Sequence, residues 1–211
     1  MRKKELAKMA IDDLKVLYPE AKCSLNAKNP FELIVATRLS AQCTDARVNL
    51  VTPKLFEHFP TPEAMGNADI KDVEELIKSC GLYKTKAKDL VALGKVLWQE
   101  YNSELPNTLE ELIKLPGIGR KTANLICGDV FGLPAVVADT HLIRITNRLG
   151  LVAAKEPKAV ELALKKILPP DESNDFCHRI VMFGRDVCSA RNPKCTECIM
   201  SGYCPKKINR K

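Results

Sequence analysis

Aromatic residues make up only 5% of this 211-residue chain, so its 45% hydrophobic content is largely aliphatic, as in a soluble helical core. No apolar run reaches the roughly 18 residues that suggest a membrane span. The start, Met1-Arg-Lys-Lys-Glu, leads into an amphipathic pattern without the apolar stretch of a signal peptide. The expected location is therefore intracellular: cytoplasmic, and nucleoid-associated in a prokaryote. Strand-like alternation, internal repeats and low-complexity linkers are also missing, so composition draws no domain boundary. The nine cysteines are an odd number in a long chain without a secretory leader, which argues against a disulfide framework.

Apolar residues at helical spacing fill this frame. Leu6, Ala10, Leu14 and Leu17 line a first helix, and Asn29-Pro30 pairs an N-cap with a proline at the first helical position, opening a helix to about Leu39. Pro53 interrupts or kinks the stretch from Asp45 to Phe59. Asp69 to Ser79 stops before Gly81, and Lys84 to Tyr101 carries Leu90, Leu93 and Leu97 on one face. Thr108 with Glu111 forms a capping box. Further helices are expected over 120–131, 140–149, 157–167 and 172–184, which gives an all-α protein of about ten short helices.

Charge and cysteine concentrate at one end. From Arg179 to Lys211 there are eight basic residues against two acidic ones, so this stretch holds six of the seven net positive charges. It suits an anionic polymer, or serves as a solvated end. Within it, Cys188, Cys195, Cys198 and Cys204 are separated by six, two and five residues. Four thiolates that close repel one another, and a soft metal ion or an iron–sulfur cluster is the usual way to hold them. Cys23, Cys43, Cys80, Cys127 and Cys177 are read as small buried apolar residues.

Two helices are joined by Leu115-Pro-Gly-Ile-Gly119. Pro116 stops the first, and Gly117 and Gly119 permit a tight backbone that turns N–H groups outward at the start of the second, where they can bind a phosphate. The plainer alternative is a helical hairpin with a glycine cap. Arg120 and Lys121 occupy the first turn, which the helix dipole makes unfavourable for cations. The dipole, Arg120 and partial desolvation would free the Lys121 amine to act as a nucleophile, while a nearby carboxylate would oppose this. Lys121 could equally be a simple phosphate contact. Val136-Val-Ala-Asp-Thr-His141 brings Asp139 to the head of another helix, as an N-cap, as a carboxylate for a developing cation, or as both.

The hairpin with Lys121, the aspartate in Val-Ala-Asp-Thr-His and the six-two-five cysteine spacing together resemble the endonuclease III family of base-excision DNA glycosylases, from about residue 5 to Pro205. Leu39-Ser-Ala-Gln-Cys-Thr-Asp45 and Gly81-Leu-Tyr83 look like two further family segments, with Cys43 standing where alanine is expected. The resemblance implies two helical domains with a DNA-binding cleft between them. One, over 22–133, is a six-helix barrel with the helix-hairpin-helix at about 109–128. The other joins 1–21 to 134–211 and holds a [4Fe-4S] cluster in the loop 188–204.

The same resemblance implies Lys121 as nucleophile, Asp139 as its acid/base or electrostatic partner, and Cys188, Cys195, Cys198 and Cys204 as cluster ligands. Gln42 would fill the space left by an extruded nucleotide and Leu82 would wedge into the opposite strand. Without the resemblance, Gln42 reads as a surface residue and Leu82 as a core one. Gly117, Gly119, Arg120, Arg191 and Lys194 are expected at the DNA backbone, and His141 at the base pocket. The expected partner is double-stranded DNA containing damaged pyrimidines or abasic sites, the expected activity glycosylase plus lyase, and the expected state a monomer.

Overall fold

The computed structural model describes residues 2–206, and among these the chain is helical with no strand. Its contacts divide it into two compact units, Cys23–Phe131 on one hand and Met1–Lys22 with Gly132–Lys211 on the other.

The unit Cys23–Phe131 holds α2 (Pro30–Leu39), α3 (Asp45–His58), α4 (Pro62–Gly66), α5 (Ile70–Ile77), α6 (Tyr83–Glu100), α7 (Leu109–Leu112) and α8 (Arg120–Asp129). Helix α2 starts where the sequence indicates, with Asn29 Oδ1 accepting from the Glu32 N–H at 2.9 Å and Pro30 at a position whose N–H has no intrahelical partner. It buries Phe31, Ile34, Val35, Ala36 and Leu39. Helix α3 runs on through Pro53.

Helix α4 was not anticipated. Five residues are too few to show a period, although Thr61 caps it by accepting from the Ala64 N–H at 3.1 Å. It matters because it crosses α6 at a glycine pair. A Cβ on Gly94 would lie 2.7 Å from the Gly66 nitrogen, and one on Gly66 would lie 2.7 Å from the Lys95 nitrogen. Glycine inside α6 costs about 1 kcal/mol relative to alanine. Here it allows two backbones to touch.

At α7 only half of the expected capping box forms. Thr108 Oγ1 accepts from the Glu111 N–H at 3.3 Å, but the Glu111 carboxylate turns away to Tyr101 Oη at 2.9 Å and Lys114 Nζ at 2.5 Å. Lys114 and then Tyr101 hold the Glu111 carboxyl below its ordinary range.

The second unit contains α1 (Lys3–Leu17), α9 (Thr140–Leu149), α10 (Pro157–Lys165), a 3-10 turn at Pro170–Glu172, α11 (Ser173–Asp186) and another 3-10 turn at Ile199–Gly202. Helix α1 buries Leu6, Ala7, Ala10, Ile11 and Leu14, and each of the larger side chains contributes about 1.5–3 kcal/mol. Leu17, expected on the same face, is exposed at the helix end. Three contacts fasten α1 and its cap to the C-terminal region: Arg179 Nε donates to the Tyr18 carbonyl at 3.4 Å, Tyr203 Oη to Asp13 Oδ2 at 2.7 Å, and Lys15 Nζ to the Glu172 carboxylate. Arg179 also pairs with Asp175 at 3.0 Å and Glu172 at 3.3 Å, and only 6% of it is exposed. This corrects its place in the basic tail, because its charge is spent inside the fold. Lys207, Arg210 and Lys211 of that tail lie outside the described residues.

Candidate functional site

The hairpin is tighter than two helices and a turn. Helix α7 ends at Leu112, before Pro116 is reached, and single turns follow, with Lys114 N–H donating to Glu111 O at 3.0 Å, Leu115 N–H to Leu112 O at 3.2 Å and Ile118 N–H to Leu115 O at 3.1 Å. The two glycines differ. Gly117 has φ +71, and a Cβ there would lie 2.7 Å from Asp89 Cβ and 2.8 Å from Arg38 Nε. The Arg38–Asp89 ion pair, with Nε donating to Oδ2 at 3.0 Å, thus sits directly against the turn. Gly119 has φ −93 and open space where a Cβ would be. No steric contact requires glycine there, and its open surroundings leave room beside the first turn of α8.

Gly119 is the N-cap of α8, whose first turn holds no acidic residue. Arg120 is half-buried and Lys121 exposed. The expected partial desolvation of Lys121 by the protein is therefore absent, and only a bound ligand would supply it. Sequence reasoning missed the surroundings of this lysine. The Cys23 thiol is pushed up to about 11 by burial, by Asp129 and by Asp45, and Lys121 opposes them, so all four share one electrostatic neighbourhood. Asp45 Oδ2 accepts from Ser24 Oγ at 2.6 Å. No local spacing marks Cys23 or Ser24.

Gln42 and Leu82 occupy adjoining loops. Both have left-handed backbones, φ 54 and φ 58, which are uncommon for residues other than glycine and asparagine. Leu82 is 56% exposed, which overturns its bare reading as a core residue, and Gln42 is exposed as expected. The loops meet where a Cβ on Gly81 would lie 3.3 Å from the Gln42 carbonyl. Lys86, fully buried one turn into α6, donates from Nζ to the Leu39 carbonyl at 2.7 Å and holds the same two loops from beneath. Burial lowers its ammonium from the ordinary value, while the Cys80 and Cys43 thiols oppose that shift. The signal for Lys86 was its place on the face of Leu90, Leu93 and Leu97.

In the other unit Asp139 is the N-cap of α9, with Oδ1 accepting from the Leu142 N–H at 2.7 Å. His141 packs on Gly184, where a Cβ would collide with its Nδ1, and that atom lies 3.2 Å from Arg144 Nη2. Arg144 and Arg148 were not singled out in the sequence. Arg144 Nη2 donates to the Cys188 carbonyl at 3.0 Å; Arg148 donates to the Ser189 and Ala190 carbonyls at 2.7 and 2.8 Å and to Cys188 Sγ at 3.3 Å. Their partners lie about 40 residues away, beyond any local pattern.

Cys188, Cys195, Cys198 and Cys204 line one pocket with Ile145, Leu149, Phe183 and Met200. Among the described residues no group of three or more His, Cys, Asp or Glu side chains is placed to hold a single metal ion, and a set of four thiols is one that suits a soft metal ion or an iron–sulfur cluster. Burial first, then the neighbouring thiols, raise Cys198 and Cys204 above the ordinary thiol range. Cationic iron would offset that repulsion. Arg191 and Lys194 are exposed on the loop between the first two cysteines. Of the other five, Cys80, Cys127 and Cys177 are buried as expected, whereas Cys23 and Cys43 are only half-buried.

Residues 35–170 match the HhH-GPD superfamily base excision DNA repair protein family, and residues 188–204 match the iron-sulfur binding domain of endonuclease III. The chain is 44% identical over 204 residues to endonuclease III of Synechocystis sp., covering 96% of this chain and 93% of that protein. It is 42% identical over 195 residues to endonuclease III of Bacillus subtilis, covering 92% and 89%. A trapped endonuclease III–DNA covalent intermediate superposes with a TM-score of 0.92 at 41% identity, over 98% of this chain and 97% of that one. The chain belongs to the endonuclease III family, whose cofactor is a [4Fe-4S] cluster. No helix among the described residues is long and apolar enough to cross a membrane.

Proposed function

We propose that this protein is a base-excision repair enzyme that removes oxidised pyrimidines from duplex DNA and nicks the resulting abasic site through a Schiff base on Lys121. The observation that carries this reading is an exposed lysine in the first turn of α8, the second residue after a glycine cap with open space beside it. The related protein trapped covalently on DNA supports the same chemistry.

A base inside the stack cannot be attacked, so the nucleotide is extruded, at a cost of a few kcal/mol that is lowest for damaged bases. Gln42 fills the vacated space and Leu82 enters the opposite strand; their left-handed, exposed loops keep both clear of their own fold. The backbone at Gly117 and Gly119, with Arg120, Arg191 and Lys194, holds phosphates. DNA closing over Lys121 removes the water around its amine and favours the neutral nucleophile. The amine attacks C1′ and the base departs. The sugar ring opens to an iminium, whose charge acidifies the C2′ proton, and loss of that proton expels the 3′ phosphate.

Asp139 stabilises the cationic sugar. Its Oδ1 is committed to the α9 cap, which fixes the carboxylate's direction. His141 shapes the base pocket. Cys188, Cys195, Cys198 and Cys204 would hold the cluster, which ties together the chain after α11 and stabilises the loop bearing Arg191 and Lys194. The functional domains are 22–133, and 1–21 with 134–211. The enzyme acts as a monomer in the cytoplasm, at the nucleoid.

The test is a duplex containing thymine glycol, dihydrouracil, uracil or an abasic site. Base release with a 3′ nick on the oxidised pyrimidines and nicking at the abasic site are expected. Duplex binding without either product would mark a non-catalytic DNA-binding module.

A further inference from the structure

Lys86 is fully buried, where an apolar side chain of the same length would pack without the cost of taking an ammonium out of water. Its partners explain the charge. Leu39 is the last residue of α2, so its carbonyl has no intrahelical donor and lies at the negative end of the helix dipole. Lys86 Nζ supplies that donor at 2.7 Å, from 47 residues along the chain. Its backbone N–H meanwhile donates to the Leu82 carbonyl at 3.0 Å. One residue thus holds both the end of α2 and the start of α6.

Each of those ends leads directly to a residue assigned to the duplex. Beyond Leu39 the chain turns through 40–43, closed by the Cys43 N–H on the Ser40 carbonyl at 3.1 Å, with Gln42 left-handed inside the turn. Leu82, also left-handed, is the N-cap of α6. One turn further along α6, Asp89 Oδ2 accepts from Arg38 Nε at 3.0 Å, and the Gly117 turn packs on that pair. The Lys86–Leu39 and Arg38–Asp89 contacts are neighbouring ties between the same two helices, and the lysine is the one beside both loops.

We propose that Lys86 is a positioning residue for base extrusion, fixing the spacing of Gln42 and Leu82 so that both enter the duplex at one nucleotide. The effect on DNA rests on the reading of those two residues given above. Being fully buried, Lys86 acts through the two loops and not on DNA itself. Without its ammonium the Leu39 carbonyl loses its donor, the turn at 40–43 is tied less closely to α6, and Gln42 shifts relative to Leu82.

The test uses the holoenzyme carrying Lys86→Met, which keeps the side-chain length and removes the donor. Without DNA, hydrogen exchange should quicken in segments 40–44 and 81–83. Affinity for undamaged duplex, set by phosphate contacts, should match the parent. Preference for a duplex with a reduced abasic site should fall about tenfold, the scale for a group displaced by a fraction of an ångström. 2-Aminopurine placed beside the lesion, which brightens when unstacked, should brighten less at saturating protein. Lys86→Met combined with Leu82→Ala should bind the abasic duplex within about twofold of Leu82→Ala alone, because both changes act on the same insertion, whereas a residue that only stabilised the fold would add its loss in full. Lys86→Gln, whose amide is too short to reach the Leu39 carbonyl, should behave alike and serves where Lys86→Met does not fold.

Full preference for the abasic duplex and full 2-aminopurine brightening in Lys86→Met overturn the proposal. So does an equal loss of affinity for undamaged duplex, and so do losses that add in full in the double variant. If Gln42→Ala and Leu82→Ala keep the parent's preference, it is the assignment of these residues to the duplex that fails. Exchange in 40–44 and 81–83 then decides whether Lys86 holds the loops, and unchanged exchange overturns that as well.

Discussion

The two hairpin glycines should fail in different ways, and the structure gives the sizes. Gly117→Ala forces a left-handed backbone on alanine, about 1–2 kcal/mol, and sets its Cβ 2.7 Å from Asp89 Cβ and 2.8 Å from Arg38 Nε. Overpacking of this kind costs about 1–3 kcal/mol more. The sum, about 2–5 kcal/mol, lowers the Tm by about 5–15 °C in a chain of this size. Gly119→Ala meets neither obstacle. Its extended backbone and open surroundings suit alanine, and the weaker N-cap is offset by about 0.4–1 kcal/mol from a less flexible unfolded chain. Its Tm should stay within a few degrees of the parent while affinity for duplex falls, because the new methyl group occupies the space kept for a phosphate. Calorimetry of the two variants, paired with fluorescence-anisotropy binding at fixed salt, checks both halves. A Gly119→Ala protein that melts as early as Gly117→Ala, or that binds duplex like the parent, refutes the division of labour.

Further outcomes follow from other parts of the molecule. Purified protein should be yellow-brown with about four iron and four sulfide per chain, and a colourless protein with one zinc contradicts the cluster. Arg148→Met leaves the Ser189 and Ala190 carbonyls without their donor, at about 1–3 kcal/mol for each, so iron content should drop; Arg191→Met should keep its iron and lose DNA affinity instead. Log affinity should fall with log salt at about −0.9 per phosphate neutralised, and a flat response removes the basic contacts from the account. Burial and Asp186 push the Tyr18 phenol up to about 12, so in the folded state it keeps a proton that the unfolded chain releases near 10. This contribution is present below pH 10 and is lost as pH rises towards 12, and Tyr18→Phe should flatten that part of a stability–pH curve.

The parts of this molecule that were legible in advance are those written in neighbouring residues. The cap at Asn29, the turn at Gly117 and the four cysteines each declare themselves within about 17 residues, because capping, turn geometry and metal-ligand spacing are local. Helix α4 escaped because five residues carry no period, and its glycine contact with α6 is a match between distant positions. Nothing in the composition of Gln42 or Leu82 announces a left-handed backbone, and only the resemblance drew attention to them. Arg148 carries no local signal, and Arg179 counts in the sequence as one more charge of the basic tail; both are buried on partners brought close by the fold, which removes Arg179 from the basic surface. Lys121 stood out for its place after a glycine turn. Its exposure, however, shifts the expected desolvation from the protein to the bound DNA.

Borohydride trapping on an oxidised-pyrimidine duplex tests the central claim most directly. The account predicts a covalent protein–DNA adduct whose crosslinked peptide maps to Lys121, and Lys121→Ala should lose the adduct while still binding duplex. Undiminished trapping in Lys121→Ala, or an adduct mapped to another residue, would contradict it.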